Sequence, residues 1–401
     1  MTYAEIRRPE VRAEGEPRRI MPFDAARPAQ HSASQMTGSD FEAARLTVRL
    51  GAVGANFRAS RRLAAPAAVA GVVKADAYGT GMKPVARHLA SIGCDTFFVA
   101  RLEEGVALRP VVPDARIFVL DGAPADAVPA LVSHRLTPVL NSLAEIAAWS
   151  AAARELRTEL DAAIHFDTGM NRLGLPPGEL GQLAGERAER LGAIRVVLMM
   201  SHLACAEDPD AKMNRVQLDR FRTGLAMLPA APASLSSSGG IMLGRDYAFD
   251  MVRPGVGLYG GNPQPGRDNP FETAVVLTGR ILQLRHVEPG ESVGYGATFR
   301  AARPSVLATV GLGYTDGLMR ALAGRGAGAV GGVRAPVVGR VSMDLITLDV
   351  TGVPPDARKT GAEVEFVGDH IPLEEIAAAS GTASYEILTS LSRRVPRHYE
   401  T

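Results

Sequence analysis

Cysteine is nearly absent from this chain. Cys94 and Cys205 are the only two among 401 residues, and neither lies in a CxxC or other zinc-type spacing. That argues against a disulfide framework, suits a reducing cytosol, and leaves both thiols to read as small apolar residues. Long apolar runs are missing too. None reaches the roughly 18 residues of a membrane-spanning helix. Neither sign of charge dominates, with 44 Lys plus Arg against 43 Asp plus Glu. Such a balance excludes a generic nucleic-acid surface or an anchor on acidic lipid, but small anionic ligands need only local positive charge. The first forty residues lack apolar periodicity. Arg18-Arg19 is followed by Ile-Met-Pro-Phe-Asp, too short and too polar for a secretory signal. Residues 1–40 read as a flexible tail or a leader foreign to the fold.

What is present is a regular alternation. Short apolar runs recur: VAGVVKADA (69–77), DTFFVA (95–100), RIFVLDG (116–122), LTPVLN (136–141), AAIHFDT (162–168), VLMMSHLA (197–204), SLSSSG (234–239) and FDMVRPG (249–255). Helical stretches such as KPVARHLASIG and LAEIAAWSAAARELR separate them. Strands alternating with helices over residues 41–271 predict a parallel (β/α)8 barrel of the TIM type. Beyond residue 272 the texture changes. VVLTGRILQLRHV, SVLATVGLGY, APVVGRVSMDLITLDV and AEVEFVG are strand-like and divided by glycine and proline turns, and helical periodicity returns only at 372–392. Residues 272–401 therefore read as a mainly antiparallel β domain. FEAARLTVRL (41–50) precedes the barrel and is a candidate strand of that second domain.

Functional residues of a barrel gather where strands end and βα loops begin. Lys74 stands out there, in the apolar stretch Gly71-Val72-Val73-Lys74-Ala75, where an ammonium is costly to bury. A desolvated lysine is a nucleophile suited to Schiff-base chemistry. A strand-end lysine in a salt bridge fits the local pattern equally well.

The segment VVKADAYGTG (72–81) resembles the cofactor-lysine motif of the alanine racemases. The resemblance recurs, in order and spacing, in HFDTGMNRLG (165–174), SHLA (201–204), VRPGVGLYGG (252–261), VGYGAT (293–298), GLGYTDG (311–317), GRVSMD (339–344) and SYEILTSL (384–391). It covers roughly residues 43–400. It implies a pyridoxal 5'-phosphate enzyme that interconverts L- and D-alanine, built as a barrel followed by a β domain.

The resemblance also implies roles. Lys74 would carry the cofactor as a Schiff base and move the Cα proton on one face, and Tyr295 would serve as base on the other. Tyr78, Ser238, Gly255, Val256 and Tyr385 match contacts to the cofactor phosphate. Which serine of Ser236-Ser237-Ser238 does this is open. Arg253 matches the residue facing the pyridine nitrogen, and His202 the histidine linking the tyrosine base to that arginine. Arg172 matches the residue that contacts the cofactor's phenolic oxygen and the substrate carboxylate. Tyr314, Met343 and Asp344 match residues at the substrate side. One departure stands out: where many members carry a carbamylated lysine seven positions before the arginine, this chain has His165. Another group, an anion such as chloride, would then fill that place. The family pattern further implies a homodimer with shared active sites, Tyr295 reaching into the partner's barrel.

Two bases follow from stereochemistry, since racemisation removes a proton from one face and returns one to the other. The competing readings are a broader-specificity or serine racemase of the same fold, a decarboxylase sharing the barrel and β domain, and a non-catalytic pyridoxal-phosphate-binding protein. The histidine-glycine and glycine-rich phosphate motifs of the decarboxylases are missing. Single-domain binding relatives lack the second domain, and a degenerate homologue would be expected to lose Lys74 or Tyr295.

Overall fold

The structure, a computed structural model, describes residues 42–401. The expected tail at residues 1–40 lies outside them. The first element, β1 (Ala44–Arg49), leads into a helix over Leu50–Ala64. The chain then lays down short strands that helices separate. They are β2 (Ala68–Val69), β3 (Gly71–Val72), β4 (Thr96–Val99), β5 (Arg116–Val119), β6 (Thr137–Leu140), β7 (Leu160–His165), β8 (Ile194–Met200), β9 (Ala233–Ser234) and β10 (Met251–Val252).

Strands β3 to β9 form one parallel sheet in sequence order. The eighth position belongs to β10, which pairs in parallel with β2. On one side Arg253 N–H donates to Ser236 O (2.8 Å) and Asp250 N–H to Ala233 O (3.0 Å). On the other, Ala70 N–H donates to Val252 O (2.9 Å) and Val72 N–H to Pro254 O (3.3 Å). The sheet thus closes into a (β/α)8 barrel whose first strand comes in two pieces broken at Ala70.

The reason these runs become interior strands is their two-sided apolarity. All four residues of β4 are buried, as both faces of a parallel sheet require. Phe98 and Phe118, register partners on the neighbouring strands β4 and β5, stack with ring centroids 4.6 Å apart. The intervening helices are one-sided instead. Over Leu143–Glu155 the buried positions are Ile146, Trp149, Ser150 and Ala153, the spacing of a single helical face. That helix starts at Ser142, whose hydroxyl accepts the Glu145 N–H at 3.2 Å.

The second region opens on β11 (Val275–Val287), a 13-residue strand whose first half alternates buried and partly buried positions. Then come β12 (Ser292–Val293), β13 (Phe299–Arg300), β14 (Ser305–Val310), β15 (Ala327–Val330), β16 (Val333–Pro336), β17 (Ile346–Asp349), β18 (Glu363–Val367) and β19 (Arg397–Glu400). Helices over Leu373–Ser380 and Ser384–Ser390 interrupt the series. Pairing around β11 is antiparallel with β14, β18 and β1. Strand β1 lies between β11 and β19, the last of these in parallel register with Leu46 opposite Arg397. The first and last strands of the described chain therefore share one sheet.

Candidate active site

Lys74 is not inside a strand, as its apolar neighbours suggest. Strand β3 ends at Val72, and Lys74 opens a short turn. Ala75, Asp76, Ala77 and Tyr78 all adopt left-handed backbone, with φ from 53 to 55°. None is glycine. Such a conformation costs an L-residue roughly 1–2 kcal/mol, so the four together cost on the order of 4–8 kcal/mol. External bonds hold the turn. Glu104, three residues into the helix after β4, accepts the N–H groups of Ala75 (2.6 Å), Ala100 (2.8 Å) and Arg101 (3.2 Å). Asp76 Oδ1 accepts from Met82 N–H at 2.8 Å.

The turn forms one wall of a cavity of about 810 Å³ at the C-terminal mouth of the barrel. Of the residues singled out in the sequence, Lys74, Tyr78, Arg172, His202, Ser238, Arg253, Gly255, Val256 and Tyr385 line it. The barrel members follow the ends of five strands, β3, β7, β8, β9 and β10, where this fold presents function. Three of these side chains are cations, with Asp121 and Glu386 as the lining carboxylates. Burial, then the Arg172 guanidinium, pull the Lys74 amine below its ordinary range, while Glu104 and Asp121 act the other way. A lowered lysine has more free amine at neutral pH and is a better nucleophile.

Arg253 is buried, and burial brings it down to about 10, so it remains charged near neutrality. It donates to Ser234 Oγ and to Ser201 O (2.7 Å). Ser238 is fixed by two loop amides: its Oγ accepts from Gly255 N–H (3.0 Å) and Gly257 N–H (3.1 Å). Those bonds leave the hydroxyl proton as its remaining hydrogen-bonding capacity. Ser236 is committed elsewhere, donating to Tyr247 O at 2.7 Å. Tyr78 stacks on Tyr259 at 4.9 Å, and a Cβ on Gly255 would overlap the Tyr78 hydroxyl. Glycine is therefore required at 255. Burial raises the Tyr78 phenol above its usual value, so it stays a neutral O–H donor.

Arg172 stands just after a turn organised by Asp167, whose Oδ1 accepts from Gly169 (3.0 Å), Met170 (2.9 Å) and Asn171 (3.2 Å). His165, on the same cavity wall, places Nδ1 2.7 Å from Asn141 Oδ1. The Asn141 amide nitrogen donates to Leu120 O and Val139 O, so its oxygen is the acceptor and His165 Nδ1 carries the proton. Burial and then Arg253 lower His165 to about 4, and the ring is neutral with Nε2 bare. Burial and then Arg253 also take His202 down to about 3. Among the described residues no hydrogen bond joins the His202 ring to Arg253. The bond His202 does make is through its carbonyl, which accepts from Gln217 Nε2 at 2.9 Å.

Tyr295, Tyr314, Met343 and Asp344 do not line this cavity. Tyr295 is 69 % exposed and Met343 53 %. Tyr314 and Met343 belong to one surface: Tyr314 N–H donates to Ser342 O (3.1 Å), and Thr315 Oγ1 to Met343 O (2.8 Å). Asp344 is paired there with Arg394 at 2.8 Å. Four residues that the sequence reading left without a role shape the cavity. Asn141 orients His165, Glu104 holds the Lys74 turn, and Asp121 lines the cavity wall. Gln217 ties Thr168 Oγ1 (3.0 Å) to His202 O. Asn141 and Asp121 close apolar runs, a signal of strand-end polar groups. Gln217 lies within an ordinary helical pattern and carries none.

Residues 48–263 match the model of the alanine racemase N-terminal domain, and residues 274–399 that of the alanine racemase C-terminal domain. The chain belongs to the alanine racemase family. Its relatives include the alanine racemase of Methylobacterium nodulans, 49 % identical across 91 % of this chain and 98 % of that one. The catabolic alanine racemase of Agrobacterium fabrum is 45 % identical across 88 % and 91 %. Among solved structures, the alanine racemase of Bartonella henselae with covalently bound pyridoxal phosphate superposes with a TM-score of 0.85. It is 38 % identical over 89 % of this chain and 99 % of the other. The biosynthetic alanine racemase of Pseudomonas aeruginosa gives a TM-score of 0.84 at 35 % identity, covering 90 % and 100 %. The barrel and the antiparallel-rich second region are the architecture shared with these neighbours.

Proposed function

We propose that this protein is an alanine racemase that holds pyridoxal 5'-phosphate through Lys74 and interconverts L- and D-alanine. The observation that carries the reading is the meeting of Lys74, Arg172, Arg253 and Ser238 in one cationic cavity at the barrel mouth. The donor set fits the cofactor. Its aldehyde needs an amine of lowered basicity, which Lys74 supplies. Its phosphate needs neutral O–H and backbone N–H donors with close approach, as Tyr78, Ser238, Val256 and Gly255 offer. Tyr385, whose ring lies 6.2 Å from that of Tyr78, adds a second phenol. When bound, the cofactor draws electrons from Cα and eases loss of its proton.

The chain's own groups do the rest. Arg172 neutralises the substrate carboxylate, and the bare Nε2 of His165 is an acceptor beside it where other family members use a carbamylated lysine. Lys74 moves the proton on one face of Cα. Arg253 keeps its own proton and so would give none to a ring nitrogen held beside it. Tyr295, Tyr314, Met343 and Asp344 complete the cavity of a partner copy, which accounts for their exposure here; the assembly is a homodimer with two shared sites. We assign the protein to the cytoplasm. No helix among the described residues is long and apolar enough to cross a membrane. The barrel module runs to residue 271 and the β module from 272.

The test of the reaction is a chiral assay of the purified protein with pyridoxal phosphate. Alanine racemises fastest, ahead of serine, lysine and arginine. Equal rates on serine or the basic amino acids would favour the broader-specificity reading. A second expectation concerns Arg253. Arg253→Glu supplies a group able to share a proton with the ring nitrogen, so a larger share of turnovers ends in transamination. Pyruvate released from alanine measures this, and an unchanged pyruvate yield would remove Arg253 from the ring nitrogen.

A further inference from the structure

The left-handed turn that presents Lys74 is braced by the far end of the chain. Inside the turn, Gly79 N–H donates to Ala75 O (2.8 Å) and Gly81 N–H to Asp76 O (2.8 Å). The outward-facing carbonyls that follow are taken by β19. Arg397 Nε and Nη2 both donate to Gly79 O, at 3.1 and 2.9 Å. The same guanidinium donates to Ser392 O (2.8 Å), Val395 O (2.8 Å) and Leu391 O (3.0 Å), so every one of its N–H groups is engaged on backbone. Two residues on, Tyr399 donates its O–H to Thr80 O at 3.0 Å. Residue 398 points the other way, as strand alternation demands, and its imidazole meets Glu42 at 2.9 Å.

The fit between the two segments is close. A Cβ on Gly79 would overlap Leu388 O, and one on Gly81 would overlap the Tyr399 hydroxyl. Strand β19 is itself fixed by its register on β1, with Val48 opposite Tyr399. The turn therefore takes its position from the second sheet as well as from the barrel. Four strained non-glycine residues persist only where their surroundings over-determine them, and no other element supplies bonds to Gly79 O and Thr80 O among the described residues.

We propose that Arg397 and Tyr399 are positioning residues for Lys74: β19 holds the left-handed turn shut and so sets where the attachment amine stands. The inference rests on Lys74 being that attachment point, but one arm of its test does not.

The experiment uses the full chain with Arg397→Met, Arg397→Lys and Tyr399→Phe. Hydrogen–deuterium exchange reads the Gly79 and Gly81 amides, which the turn protects whatever the reaction. Exchange there is expected to quicken about tenfold or more in Arg397→Met and Tyr399→Phe, with barrel amides such as Phe118 and Ile164 unchanged. The second arm strips the cofactor and follows reattachment of pyridoxal phosphate by absorbance. A misplaced amine attaches roughly tenfold to a hundredfold more slowly, with Arg397→Lys intermediate. Unchanged exchange at Gly79 and Gly81 in folded variants overturns the proposal. So does a rise spread evenly over the whole barrel, because that marks general weakening and not a clamp. If Arg397→Met does not fold, Tyr399→Phe, which removes one hydroxyl and little bulk, decides by the same criteria. Local quickening with normal reattachment leaves the clamp standing and counts against Lys74 as the attachment point.

Discussion

A Lys74→Ala chain is expected to lose its visible cofactor absorption and its racemase activity together. The substitution removes the amine that attaches the cofactor and the group that moves the proton on one face of Cα. Positioned proton transfer alone is worth about 10²–10⁴-fold, and losing the covalent link adds to that, so activity falls by roughly 10³-fold or more. The fold should survive. Lys74 follows β3 and its side chain makes no hydrogen bond among the described residues, whereas the turn after it is held by Glu104, Asp76 and Arg397. Absorbance, a chiral assay and a thermal melt are enough to read the result. A folded variant that keeps both absorption and activity would take Lys74 out of the reaction.

The second large effect is a gain. Lys74→Ala and Tyr295→Ala chains are each expected to be inactive, yet a mixture dissociated and reassociated together regains activity. If Tyr295 of one copy serves the cavity of the other, a mixed dimer holds one doubly damaged site and one intact site. Random pairing makes about half the dimers mixed, so roughly a quarter of all sites are intact under two-fold pairing. The motive is the surface described above: Tyr295 stands 69 % exposed and apart from the cavity that Lys74 lines. Were both residues of a site to come from one chain, no pairing could rebuild it. Verified mixed dimers without activity would refute sharing.

The barrel and most of its mouth were legible in the sequence for a physical reason. A parallel barrel buries both faces of its strands, so they appear as apolar runs, and polar residues at the ends of those runs fall together at the mouth. Ser238, Arg253 and Gly255 stand at such ends, but it was the motif likeness that singled them out and supplied their roles. β11 was equally plain, since the first half of its 13 residues alternates as a half-buried strand does. The Lys74 turn was not. Left-handed backbone usually announces itself through glycine, and Lys-Ala-Asp-Ala-Tyr contains none. The conformation is imposed by Glu104 and by Arg397, the latter 318 residues from its acceptor at Gly79. No local pattern encodes a contact of that reach. No bond links the His202 ring to Arg253 among the described residues; Arg253 donates instead to Ser234 Oγ and the Ser201 carbonyl, buried partners that a strand-end motif does not reveal.

The placement of β1 beside β19 has a consequence for synthesis. The first described strand leaves the ribosome with none of its sheet partners made. Leu46 must wait for Arg397, and at 5–20 residues per second the delay is on the order of 20–70 s. Only about two-thirds of the way through that interval is the barrel sequence complete and β11 available to cover one edge of β1; the other edge stays open to a neighbouring nascent chain until β19 follows. The loop that finally closes spans nearly the whole described chain, so this pairing is among the slowest the fold must make. Arg397 and Tyr399, which steady the Lys74 turn, are translated after every barrel residue, so a chain cut before them would carry every barrel residue of the cavity and still lack its brace.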